Sequence, residues 1–119
     1  RFNLMLAAGM IREAAALTTQ IGGEVIPSEY GRLALAMREP VGAVLGIAPW
    51  NAPIILGVRA IAVPIACGNT AILKASELCP RTQGLIVEAF AAAGFAPGVV
   101  NLVTNAPEDA AEVVGALID

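Results

Sequence analysis

Asn51, Lys74, Glu77 and Arg59 are the side chains whose types and neighbours suit chemistry. Asn51 stands in Ala48-Pro49-Trp50-Asn51-Ala52-Pro53. The prolines bracketing Trp50-Asn51 limit the backbone, because proline fixes its own φ and restricts the residue before it. A carboxamide fixed in such a turn can aim a donor at developing negative charge. Capping the helix that follows is the plainer task, and residue type alone favours it. Lys74-Ala75-Ser76-Glu77 brings two opposite charges together, which by default is a solvated pair at a strand end. Arg59 is the one charge between Glu39 and Lys74. At helical spacing it shares a face with Ala52, Ile55 and Leu56. An arginine among apolar residues needs a partner to offset its desolvation.

These groups must be carried by strands and helices that the apolar pattern outlines. Val41–Ala48 reads as a fully apolar strand of the buried, parallel kind, and Thr70–Lys74 as another. Between them a helix starts at Pro53, a favoured first helical position, and runs to about Ala66, although Pro64 should kink or end it. Pro80 opens a further helix that Ala93-Gly94 closes, Val99–Val103 is a third strand, and Pro107–Ile118 a last helix with Glu108 and Asp109 in its first turn. Upstream, residues 4–19 read as a helix stopped by Gly22-Gly23, residues 25–32 as an irregular or extended link, and Leu33–Arg38 as a half-buried strand by its alternation. The order β-α-β-α-β-α predicts an α/β fold, a Rossmann-like parallel sheet layer with flanking helices. In open sheets of this kind functional groups gather at the carboxyl ends of the strands, so Asn51, Lys74 and Glu77 are expected at one edge.

Composition removes several classes of function. The 119 residues suffice for one small domain, and a hydrophobic fraction of 57% with 14% charged residues is far from the disordered regime. So apolar a chain, which begins with Arg1 and stops inside a helical pattern, is expected to be a piece of a longer protein that packs on its remainder or on another subunit. The net charge is −3 and the basic residues are scattered, which argues against nucleic acid. Residues 40–58 and 89–107 lack charge but are interrupted by prolines and a turn, so neither can be one membrane helix, and a cytoplasmic location is expected. With no histidine and two cysteines at unrelated spacing, neither a metal site nor a histidine-based triad can be built. Cys67 and Cys79 read as structural thiols rather than nucleophiles. No Gly-x-Gly-x-x-Gly turn is present.

Three segments in order, APWNAP, CGNTAILKASE and AGFAPGVVNLV, resemble the aldehyde dehydrogenase superfamily in its N-terminal cofactor-binding region. The resemblance covers nearly the whole chain and looks closest to the members that oxidise salicylaldehyde and related aromatic aldehydes. It implies that residues 1–119 are part of an NAD-binding domain. Asn51 would donate its amide to the oxyanion formed when a thiolate attacks the aldehyde. Ile47, Ala48, Pro49 and Trp50 would line the nicotinamide side, and Lys74, Ser76 and Glu77 the adenosine ribose. A carboxylate at Glu77 would repel a 2′-phosphate, favouring NAD over NADP.

Ala52, Ile55, Leu56 and Arg59 would line the substrate tunnel, Arg59 meeting a polar ring substituent and Ala52 leaving room for the ring. The alternative for Arg59 is an ion pair with another part of the protein. The catalytic cysteine and the general-base glutamate would lie beyond residue 119, so the piece alone would not turn over, and the full-length protein is expected to be a homo-oligomer. The fold also serves enzymes in which CoA replaces water, and a purely cofactor-binding or structural piece is the reading from another class. Two departures stand out. Ala75 replaces the usual proline, and Asn105-Ala106-Pro107-Glu108 replaces a glycine-rich segment near the adenine.

Overall fold

The computed structural model describes residues 1–118. Helix α1 (Phe2–Leu17) is followed by two short strands, β1 (Glu24–Ile26) and β2 (Ala34–Ala36). The alternating layer follows as β3 (Ala43–Ile47), α2 (Pro53–Ala66), β4 (Thr70–Lys74), α3 (Pro80–Ala92) and β5 (Val100–Val103). A 3₁₀ turn, Pro107–Asp109, then leads into α4 (Ala110–Ile118).

Strands β3, β4 and β5 form one parallel sheet in that order. The parallel layer expected from the apolar strands is present. Register aligns Ile47 with Lys74, and Lys74 with Val103, so the three strands finish level. Three chain segments therefore leave the sheet side by side: Ala48–Ala52, Ala75–Cys79 and Thr104–Ala106.

Ile61 of α2 and Leu73 of β4 are wholly buried, at the centre of a core that includes Val58, Ala71, Ile86 and Phe90. Full burial of such aliphatic side chains contributes roughly 1.5–3 kcal/mol each. Ala7 and Ala14 bring α1 onto the same core through α2. Gly46 lets α2 approach β3 closely: a Cβ there would stand 2.9 Å from the Cβ of Ala60 and 3.1 Å from its carbonyl oxygen. Pro64 falls in the last turn of α2, which ends at Ala66. Its carbonyl accepts both the backbone amide of Asn69, at 3.1 Å, and the Asn69 side chain, at 3.0 Å. Asn69 is buried, and its Oδ1 accepts the amides of Val41 and Gly42, at 2.7 and 3.1 Å, tying the start of β3 to the start of β4.

The amino-terminal third departs from the sequence expectation. The link expected to be irregular or extended begins in extended form, as strand β1, which pairs antiparallel with β2. The alternation from Leu33 to Met37 yields only three strand residues, and Leu33, Leu35 and Met37 are 74%, 53% and 75% exposed rather than half-buried. Strand alternation reports a face with something to pack against. No element among the described residues covers this hairpin.

Candidate active site and its supporting contacts

Lys74 is the last residue of β4 and its side chain is only 6% exposed. Its ammonium is paired with Oε1 of Glu77, whose side chain remains 22% exposed. The Glu77 carboxyl is held at about 2, against an ordinary 4.5. The hydrogen bond from Lys74 is the main cause, then the Glu77 backbone amide, then the carboxamide of Asn105. The default picture of a solvated strand-end pair therefore does not hold for Lys74. Burying an ammonium is tolerable only because a carboxylate sits against it.

Ser76 is buried, and its side chain serves the loop, with Oγ accepting the Leu78 amide at 3.3 Å. Gln83, fully buried on α3, joins this loop to the one after β3. Its Oε1 accepts the Ser76 amide at 2.6 Å, while Nε2 donates to the carbonyls of Ala48 at 3.3 Å and Pro49 at 3.1 Å. Sequence reading passed over Gln83, although a signal existed. It falls three, four and seven residues before Ile86, Val87 and Phe90, on the apolar face of its helix.

Ala48 is buried, while Ile47, Pro49, Trp50 and Asn51 are exposed at the sheet edge. The residue at the start of α2 in the capping position is Ala52, not Asn51, and no side chain caps that end. The Asn51 carboxamide is therefore not spent on the helix. Ala52, Ile55 and Leu56 are half-buried and follow one face of α2 to Arg59, which is exposed and makes no ion pair among the described residues. The desolvation expected of Arg59 is absent here because Arg59 lies outside the buried side of α2, which is formed by Gly57, Val58, Ile61 and Ala62.

Cys67 and Cys79 are free thiols that terminate α2 and begin α3. Among the described residues no cluster of acidic or thiol groups could hold a metal ion, and no helix is long and apolar enough to cross a membrane. An apolar cleft of about 390 Å³ lies among α1, α2 and α3. Thr82 is its only polar lining residue, and it includes none of Asn51, Lys74 or Glu77.

One edge of a parallel sheet thus carries an uncommitted carboxamide and a partly buried Lys–Glu pair, cross-linked by Gln83. The sequence model of the aldehyde dehydrogenase family matches residues 1–119. The chain belongs to the aldehyde dehydrogenase family. Vanillin dehydrogenase of a Pseudomonas species is 63% identical over 98% of this chain and 24% of its own length. The crystal structure of a salicylaldehyde dehydrogenase from Pseudomonas putida, complexed with salicylaldehyde, superposes with a TM-score of 0.95 at 44% identity, over 99% of this chain and 25% of that one. A structure of an NAD-dependent benzaldehyde dehydrogenase from Corynebacterium glutamicum gives 0.84 at 31% identity, over 90% and 23%. The chain thus spans about a quarter of the length of the aldehyde dehydrogenases it matches, and its three-stranded layer has the fold of their cofactor-binding domain.

Proposed function

We propose that residues 1–119 are part of the NAD-binding domain of an enzyme that oxidises an aromatic aldehyde to its carboxylic acid. The observation that carries this is the level finish of β3 and β4, Ile47 beside Lys74, which opens the Asn51 loop and the Lys74–Glu77 loop onto one edge. Lys74 and Glu77 suit a nucleotide ribose. The side-chain donors both reach Glu77 Oε1, and Oε2, which has no side-chain donor among the described residues, can accept from a hydroxyl. A charged Glu77 would meet a 2′-phosphate with repulsion, which favours NAD over NADP. NAD, when bound, supplies the hydride acceptor. Ile47, Ala48, Pro49 and Trp50 would border its nicotinamide end, and Ser76 keeps the ribose loop in shape.

Asn51 then acts on the substrate. A thiolate supplied from outside these residues adds to the aldehyde carbon, and Asn51 donates to the oxyanion. Such a donor is worth about 2.7–4 kcal/mol where one has been removed from an acyl-transfer enzyme. Loss of hydride leaves a thioester, which water activated by a glutamate outside these residues hydrolyses; splitting one hard step into two is the advantage of the covalent route. Ala52, Ile55, Leu56 and Arg59 form the face offered to the aromatic ring. That the relatives named above act on vanillin, salicylaldehyde and benzaldehyde supports an aromatic substrate. Full-length protein is proposed to be a homo-oligomer, since the exposed apolar side chains of β1 and β2 need a cover that a two-stranded hairpin cannot give itself.

The test is NADH formation by the full-length protein with vanillin, salicylaldehyde and benzaldehyde, with product identified in the presence and absence of CoA. The reading expects one acid per NADH without CoA. No NADH with any of the three would sink the aromatic-aldehyde assignment, and a strict need for CoA would move the protein to the acylating class.

A further inference from the structure

Asn105 follows β5 and reaches back across the sheet edge to the loop after β4. Its Nδ2 donates to Glu77 Oε1 at 3.1 Å and to the Ala106 carbonyl at 2.6 Å. Both neighbours only accept, so the amide must turn its nitrogen toward them. Its Oδ1 is left buried, with no hydrogen-bond partner among the described residues. A buried acceptor without a donor costs stability, so the gain must lie at the other end of the group. What the other end does is hold Glu77. Lys74 and Asn105 converge on the same carboxylate oxygen, one from β4 and one from beyond β5. Two donors from separate segments hold Oε1 in place more firmly than a lone flexible ammonium would.

We propose that Asn105 is a positioning residue that locks the Glu77 carboxylate with Oε2 toward the ribose and so sets the preference for an unmodified ribose diol over a 2′-phosphate. The proposal rests on the NAD-site reading above. It places the discrimination in two residues rather than one, with the second supplied by the segment after β5, beside the loop after β4 that carries Glu77. Without Asn105, Glu77 falls back on Lys74 and its own backbone amide and meets either nucleotide less sharply.

The test is calorimetric titration of the full-length protein, without substrate, using NAD and NADP. It compares the wild type with Asn105→Ala, Glu77→Ala and the double variant. Loss of one positioning hydrogen bond should narrow the ratio of the two Kd values by about 2- to 10-fold in Asn105→Ala, chiefly by weakening NAD. Adding Asn105→Ala to Glu77→Ala should leave the ratio unchanged, because there is no carboxylate left to hold, and such non-additivity is the signature of residues acting as a unit. An unchanged ratio in Asn105→Ala, or an equal narrowing in both backgrounds, overturns the proposal. An unchanged ratio in Glu77→Ala overturns the ribose reading itself, so the two failures are distinct. Asn105→Ser serves the same comparison if the alanine variant does not fold.

Discussion

Gln83 Oε1 accepts the Ser76 amide at 2.6 Å from a position completely closed to solvent. The same carboxamide donates to the carbonyls of Ala48 and Pro49, so one side chain ties together the loops that carry Asn51 and Glu77. Gln83→Leu removes both functions while keeping similar bulk. It leaves the Ser76 amide without this acceptor and the two carbonyls without this donor, at about 1–3 kcal/mol for each buried group left unpaired. A fall of several degrees in Tm is expected, with weaker NAD binding. Gln83→Glu should be no better, since its second oxygen would face two carbonyl oxygens. A Gln83→Leu protein that melts with the wild type would refute the cross-link.

Asn51 is the opposite case, a carboxamide at the edge with no helix to cap. Asn51→Ala should leave Tm and NAD affinity nearly unchanged and lower kcat by about 10²–10³, the effect of losing a donor that matters mainly as charge develops. Steady-state kinetics beside an NAD titration checks it. An unchanged kcat, with acylation shown to limit turnover, would remove Asn51 from the oxyanion role.

Acid should undo the Lys74–Glu77 pair in a defined window. The folded-state value of Glu77 is lowered to about 2 from 4.5, so the ionised carboxylate favours the fold. That stability is fully present above the ordinary value of 4.5 and is lost as pH falls through it toward 2. Glu77→Gln should therefore reduce Tm by a constant amount near neutrality, with the gap closing at lower pH. Melting curves of both proteins across that range would show it, and a gap as wide at the acid end as at neutrality would mean that Glu77 gains nothing from Lys74 and Asn105.

Much of this architecture was readable from residue types, and the exceptions share a cause. The bounds of α2 and β4 match the expectation, because a proline at the first helical turn and a continuous apolar run are local signals. The alternation from Leu33 to Met37 predicts a half-buried strand, yet these side chains are exposed, since alternation cannot say whether a partner lies against it. Lys74 and Glu77 were placed at the correct edge, yet nothing local announced that Asn105, far along the chain, would join them. Gln83 carries a signal in its place on an apolar helix face, but that polar residue acquires its meaning only when two loops close over it. Contacts that depend on three separate segments are the ones a single sequence conceals.

Gly46 should be intolerant of even one added carbon. A Cβ would approach the Cβ and backbone oxygen of Ala60 at 2.9 and 3.1 Å, and neither is the end of a flexible side chain. Gly46→Ala must push α2 off β3 and with it the Asn51 loop at the start of that helix. Overpacking of this kind costs about 1–3 kcal/mol. A lowered Tm together with a reduced kcat is the expected pair of effects, and a variant as stable as the wild type would place the helix farther from the strand.

Arg59 separates substrate recognition from bracing. It lies on the face of α2 shared with Ala52, Ile55 and Leu56, exposed and without an ion pair among the described residues. An exposed arginine contributes little to stability, typically within about 0.5 kcal/mol, so Arg59→Met should melt close to the wild type. If its guanidinium meets a phenolic oxygen of the substrate, loss of a charged hydrogen bond costs about 1.5–3 kcal/mol, or roughly 10- to 150-fold in kcat/KM. That loss should fall on salicylaldehyde and spare benzaldehyde, which presents no second oxygen. Vanillin tests the reach of the group, since its phenolic oxygen stands across the ring from the aldehyde. Equal losses on all three aldehydes, or a Tm lowered by many degrees, would assign Arg59 to holding the protein together and leave the ring substituent to be read elsewhere.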